Sequence, residues 1–156
     1  MKRLLLVEDD SGVAEATRFA PRSEWEVEHV RTLSDALAAA VRGQAGGAGQ
    51  LLAVLYDLQL PDCGNEDGIE LLLVADPRLA IVVYPGVVDE VLAERCRRAG
   101  AVDYVVEGGP VEELRMRLRF AVRRVTVPRA IYALGDLLMR WGDRTEPPRP
   151  EAAHGT

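Results

Sequence analysis

Lysine is almost missing from this chain: 18 of its 19 basic residues are arginine, and the single lysine is Lys2. No ammonium is therefore available past Lys2 to form a Schiff base or to hold a phosphate. Small hydroxyls are scarce as well, because no serine or threonine stands between Ser34 and Thr126, where Tyr56, Tyr84 and Tyr104 are the alcohols that remain. Serine-hydrolase and P-loop chemistries lose their central residues. Two cysteines, Cys63 and Cys96, and two histidines provide neither a disulfide framework nor a metal cluster, and each thiol is expected to be buried or idle. Long apolar runs are absent too. Leu4 to Val7 is cut off by Glu8, Asp9 and Asp10, too short for a signal h-region or a membrane span, so the expectation is a cytoplasmic protein with no membrane partner. Positive charge is not in excess: 19 basic against 25 acidic residues give a formal charge of −6. That field repels phosphate backbones, and nucleic acid is not an expected partner.

What the 156 residues do contain, 48% hydrophobic and 28% charged, fits one globular core. Apolar runs of strand length recur at Arg3–Val7, Val27–Val30, Leu51–Tyr56, Leu79–Tyr84 and Val102–Val106. The third and fourth are apolar throughout, as strands buried on both faces of a parallel sheet are, and amphipathic segments between the runs supply crossover helices. The expected class is α/β, a doubly wound (βα)5 parallel sheet of the flavodoxin-like kind. Thr32 can cap a helix over Leu33–Arg42. Val111, Leu114, Leu118, Ala121 or Val122, and Val125 mark the buried stripe of the last crossover helix. Beyond residues 1–125, Val127, Ile131, Leu134, Leu138 and Trp141 share a stripe that predicts an extra amphipathic helix over 126–142, starting near Pro128. Residues 143–156, with three prolines, read as a disordered tail.

In an open parallel sheet, ligands bind outside the carboxyl ends of the strands. The first strand ends in Glu8-Asp9-Asp10 and the third in Asp57, which brings three or four carboxylates to one crevice. Like charges that close call for a shared hard cation or for raised pKa values. Asp10 has a second reading as the cap of the following helix.

These motifs resemble the receiver domain of two-component response regulators over nearly all of residues 2–125. Leu4-Leu5-Leu6-Val7-Glu8-Asp9-Asp10 is similar to the family's first strand and acidic pair. Val54-Leu55-Tyr56-Asp57-Leu58-Gln59-Leu60-Pro61-Asp62 resembles its phosphoacceptor strand and loop, Gly68-Ile69-Glu70-Leu71-Leu72 its third helix, and Ala99-Gly100-Ala101-Val102-Asp103-Tyr104-Val105-Val106 its fifth strand. The resemblance implies a phosphorelay protein in which Asp57 accepts the phosphoryl group. It further implies that Glu8, Asp9, Asp57 and the Gln59 main-chain carbonyl hold Mg²⁺, that Tyr104 is the switch aromatic, and that a histidine kinase or another signalling protein is the partner. Two departures stand out. The family's Thr or Ser after the fourth strand is replaced by Pro85, or by Tyr84 if the register shifts by one, and the family's Lys after the fifth strand is replaced by Glu107. An insertion also surrounds Cys63-Gly64-Asn65.

Exchanging an attractive ammonium for a carboxylate at about 4 Å, with an effective dielectric of about 20, disfavours a dianionic phosphoryl group by several kcal/mol as an upper bound. The expected function is thus an atypical receiver, not an enzyme, that acts through protein–protein contact. The alternative is a binding module that works without phosphate. A haloacid-dehalogenase-like phosphatase is a remote alternative, because the second acid it needs two residues after its nucleophile is Gln59 here. With Leu114 and Leu118 set toward the sheet, Met116 and Phe120 point outward. They are the expected interface, covered by Ile131, Leu134, Leu138 and Trp141 of the same chain or used in a homodimer or another partner complex.

Overall fold

A computed structural model describes the backbone of residues 2–19, 24–44 and 49–142 and, apart from residue 19, the side chains up to residue 126. Strands β1 (Lys2–Val7), β2 (Trp25–Val30), β3 (Leu51–Tyr56), β4 (Ala80–Val83) and β5 (Asp103–Tyr104) alternate with helices α1 (Ser11–Phe19), α2 (Leu33–Gln44), α3 (Asp67–Ala75), α4 (Glu90–Ala99) and α5 (Val111–Gly142). The sheet is parallel in the order β2-β1-β3-β4-β5. This is the expected doubly wound architecture.

Strand alternation sends β1 side chains to opposite faces. Leu5 and Val7 join Tyr56, Ile81 and Val83 in a cluster closed by buried residues of α2, α3 and α4, while Leu4 and Leu6 join Trp25, Leu55 and Val82 in a second cluster closed by Ala14 of α1 and by Leu114, Leu118 and Ala121 of α5. The two layers therefore need no residue to serve both faces. Val111, assigned by periodicity to the buried stripe of α5, is exposed instead, because it opens the helix before the stripe reaches the sheet.

The fifth strand is shorter than its apolar run. Only Asp103 and Tyr104 pair in ladder fashion with Val82 and Val83, although the N–H groups of Val102 and Val105 still donate to the Ile81 and Val83 carbonyls at 2.8 Å. The partner strand ends early because Pro85 has no N–H to extend it. A second difference lies past residue 125. Helical backbone runs unbroken to Gly142 as part of α5 where a separate helix from 126 was expected; a proline forfeits one helical hydrogen bond without necessarily ending the helix. The chain divides into compact units at Met1–Thr126 and Val127–Thr156. The expected cover residues Ile131, Leu134, Leu138 and Trp141, and the expected tail 143–156, lie outside the described side chains and backbone, respectively. Among the described residues, no helix is long and apolar enough to cross a membrane.

Two glycines are demanded by their surroundings. Gly100 ends α4 at φ 113°, donating to the Arg97 carbonyl, a left-handed position that side chains resist. At Gly68, in the first turn of α3, a Cβ would stand 1.9 Å from the Tyr56 hydroxyl. The close approach of α3 to the buried ring of β3 thus requires the missing side chain.

Candidate functional site

Parallel pairing brings the ends of β1, β2 and β3 level. The Glu8 N–H donates to the Val30 carbonyl, and the Asp57 N–H donates to the Val7 carbonyl, both at 3.0 Å, so the residues that follow the three strands stand side by side. Carboxylate oxygens of Glu8, Asp9 and Asp57 lie within 4.8 Å of one another. Each of the two central acids is held by a neighbouring backbone amide. Glu8 Oε1 accepts from the Asp10 N–H, and Asp57 Oδ1 accepts from the Gln59 N–H, each at 3.0 Å. Asp10 takes the other role foreseen for it: its Oδ1 accepts from the N–H groups of Gly12 and Val13 at 2.8 and 3.0 Å, the N-cap of α1.

Two ionised carboxylates at that separation repel by about 3 kcal/mol at an effective dielectric of about 20, and burial adds to the penalty. Glu8 is 5% exposed. Burial first, then the negative charges of Asp57 and Asp9, push its carboxyl up to about 7, against the opposing Asp10 N–H. Asp57 is also raised, chiefly by burial and further by Asp9, with the Gln59 N–H pulling the other way. Glu8 is the member of the group that holds a proton near neutrality. The donor set is hard oxygen throughout and suits Mg²⁺ or Ca²⁺ in place of that proton.

The crevice around these acids is also lined by Gln59, Pro85, Gly86, Val87, Arg31 and Glu107. Pro85 resolves the alternative left by the sequence: its ring is buried and faces the crevice, whereas Tyr84 belongs to the opposite core cluster, where its hydroxyl accepts from the Gly108 N–H at 3.4 Å. Glu107 is half-buried, and its N–H donates to the Pro85 carbonyl at 2.8 Å. A proline and a carboxylate thus stand together on the β4–β5 side. Tyr104 is half-buried, and its hydroxyl donates to the Val87 carbonyl at 3.3 Å, tying β5 to the loop before α4.

Met116 and Phe120 are 48% and 52% exposed. They line a shallow groove beside α5 together with Val102, Asp103, Arg117 and Arg124, in which Arg117 pairs with Asp103 at 3.2 Å. Cys63 is half-buried, Cys96 is buried, and both thiols are free.

Two contributors were not singled out by sequence reasoning. Asp62 caps α2 from a distance, its two carboxylate oxygens accepting from the N–H groups of Leu33 and Ser34 at 2.8 and 2.9 Å, beside the local cap in which Thr32 Oγ1 accepts from the Asp35 N–H at 3.1 Å. No pattern in the sequence marks a cap offered from another loop. Arg31, directly after β2, donates through Nη2 to the Asp9 main-chain carbonyl at 2.8 Å. Its place directly after a strand of the parallel sheet is the signal in the sequence that marks it.

No family model matches the chain. The "Probable transcriptional regulatory protein TcrX" of Mycobacterium tuberculosis is 30% identical over 143 residues, which cover 87% of this chain and 58% of that protein. The chain thus spans somewhat over half the length of the curated relative it matches. Among solved structures, a signal receiver domain from Vibrio parahaemolyticus aligns at TM-score 0.71 and 22% identity, covering 83% of this chain and 96% of that one. A CheY-like response regulator receiver domain protein from Methanospirillum hungatei aligns at TM-score 0.69 and 21% identity, covering 80% and 96%. A response regulator from Burkholderia pseudomallei, crystallised with a phosphorylated aspartic acid, calcium ion and citrate, aligns at TM-score 0.65 and 24% identity, covering 85% and 75%. The chain has the CheY-like receiver fold.

Proposed function

We propose that the crevice is the phosphoacceptor site of a response-regulator receiver domain in two-component signalling, with Asp57 as the acceptor. The observation that carries this reading is the convergence of Glu8, Asp9 and Asp57 within 4.8 Å at the carboxyl ends of β1 and β3. With Asp57 Oδ1 engaged by the Gln59 N–H, the other carboxylate oxygen is left to attack phosphorus. An acyl phosphate forms as the bond from phosphorus to the donor's leaving group breaks. Glu8 and Asp9, with Asp57 and the Gln59 main-chain carbonyl, are the groups that would hold Mg²⁺. When bound, the cation neutralises the acids and draws off charge from the phosphoryl oxygens. Glu8 must lose its proton to take part, so loading the site releases a proton near neutral pH.

Pro85 and Glu107 set the limits of the switch. Neither offers a hydroxyl or an ammonium to a phosphoryl oxygen, so Tyr104 has no partner on that side through which to register the change at Asp57. Their presence in the same crevice favours a second reading, a receiver-like module whose partner binds regardless of phosphate. On either reading the output is protein–protein contact in the cytoplasm rather than turnover of a substrate. A histidine kinase or another signalling protein is the partner, and the groove at Met116 and Phe120 is the surface offered, to that partner or to a second copy of the chain.

Incubation with acetyl phosphate and Mg²⁺ followed by intact-mass measurement tests the acceptor reading. It predicts the gain of one phosphoryl group in the wild type and none in Asp57→Ala. No gain in either protein would favour the phosphate-independent module, and a gain that survives Asp57→Ala would refute the assignment of Asp57.

A further inference from the structure

The crevice holds five acidic side chains, those of Glu8, Asp9, Asp10, Asp57 and Glu107, and one cationic side chain, that of Arg31. We infer that Arg31 is a phosphoryl-binding residue that supplies, from the β2 side, the positive charge which Glu107 fails to supply from the β5 side. This rests on the acceptor reading above.

Backbone geometry sets the position. Val30 is the last residue of β2 and pairs with Val7; the next residue, Arg31, stands beside Glu8 and Asp9, one strand away from Asp57. Adjacent strands are about 4.8 Å apart, so two strand spacings separate the start of the Arg31 side chain from Asp57, a gap that a long side chain and a phosphoryl group can bridge together. The guanidinium does not fold back onto an acid. Nη2 donates to the neutral Asp9 carbonyl, and no ion pair to Arg31 occurs among the described residues, although those residues include the five acids around it. An arginine carries five N–H donors in a planar fork. One is used as an anchor, and the others are left for an incoming oxyanion in the bidentate manner that guanidinium offers phosphate. Arg42, Arg78, Arg95, Arg117 and Arg119 are each paired with a carboxylate; Arg124 shares with Arg31 an anchor on a main-chain carbonyl, that of Val102, but lies outside the acidic crevice that Arg31 lines.

Calorimetric titration of the full chain with beryllofluoride in saturating Mg²⁺, and with Mg²⁺ alone, separates the possibilities when run on wild type, Arg31→Gln and Arg31→Lys. The inference predicts that Arg31→Gln weakens beryllofluoride about tenfold, the size of a charge-assisted hydrogen bond at a partly exposed site. Arg31→Lys should recover part of that affinity. Mg²⁺ alone should bind Arg31→Gln equally well or more tightly, because a repelling charge has been removed. If Arg31→Gln binds beryllofluoride within about twofold of wild type, the inference is wrong and the acceptor reading survives. If Arg31→Gln loses Mg²⁺ and beryllofluoride together and melts at a lower temperature, Arg31 is only a pin on the Asp9 loop, which also overturns the inference. Failure of the wild type itself to bind beryllofluoride or to gain a phosphoryl group would instead remove the acceptor reading and the inference with it.

Discussion

Glu8 makes the stability of the metal-free protein fall as pH rises through neutrality. Its carboxyl, ordinarily near 4.5, is pushed up to about 7 in the folded chain, so the folded state binds the proton more tightly than the unfolded state does. Stability from this group is complete below about pH 4.5 and is lost as pH climbs through 7, the reverse of an acid held by a salt bridge. At 1.36 kcal/mol per pH unit the whole loss is about 3 kcal/mol, of which about 2 kcal/mol falls between pH 5.5 and 8. Asp57, raised by the same burial, adds a loss of the same sign. For a chain of this size, about 2 kcal/mol corresponds to a drop of roughly 5–10 °C in melting temperature. Urea unfolding and thermal melts at pH 5.5, 6.5, 7.5 and 8, with chelator present, provide the measurement. Glu8→Gln should flatten the profile, and millimolar Mg²⁺ should reverse its slope, because the cation binds the deprotonated cluster and only the folded state offers it. A wild-type stability that is flat or rising over this range without metal, or a slope unchanged in Glu8→Gln, would refute the argument that burial and mutual repulsion place a proton on Glu8.

Gly68→Ala should destabilise the fold by about 1–3 kcal/mol in urea titrations despite the gain in helix propensity, because the new methyl would meet a buried ring rather than a flexible chain end. Tyr56→Phe should be close to neutral, since the Tyr56 hydroxyl has no hydrogen-bond partner, and in the double variant it should recover part of the loss; strict additivity would mean that the two residues do not collide. Asp62→Ala should lower the melting temperature by uncapping α2. Asp62 is held below the usual carboxylate range by the Ser34 and Leu33 N–H groups, so its contribution is present above the unfolded value, near 4, and is lost as pH falls through the lower, folded one. Equal melting of wild type and Asp62→Ala at neutral pH would show the long-range cap to be idle.

The layered fold was legible because its physical causes are local. Runs of apolar residues in β3 and β4 and the spacing of Leu114 and Leu118 express burial directly, and the outward placement of Met116 and Phe120 follows from the same helix phase. The acid cluster was legible for a different reason: a parallel sheet brings strand ends together, so the positions of Glu8, Asp9 and Asp57 directly after their strands are enough to associate them. What escaped depends on partners distant in sequence. The brevity of β5 comes from Pro85, just past the end of the neighbouring strand, since Val102 to Val106 is by itself an ordinary strand pattern. The choice between Tyr84 and Pro85 for the crevice required the end of the β3–β4 ladder to be fixed. The cap from Asp62 joins residues 29 positions apart, and the continuation of α5 through Pro128 sets one lost hydrogen bond against a run of helix-forming neighbours. The role inferred for Arg31 depends on which carboxylates it does not pair with, a property that composition does not carry.

The remote cap on α2 gives the acceptor loop a spectroscopic voice. Because the amides of Leu33 and Ser34 are protected by a side chain that follows Asp57 by five residues in sequence, their hydrogen exchange is gated by movement of that loop rather than by fraying of the helix alone. Neighbouring amides deeper in α2, such as that of Ala36, which donates to the Thr32 carbonyl, share the helix but not the tether, and so provide an internal reference. The ratio of the two exchange rates isolates the opening of the segment between Asp57 and Asp62, observed from a helix that does not touch the chemistry.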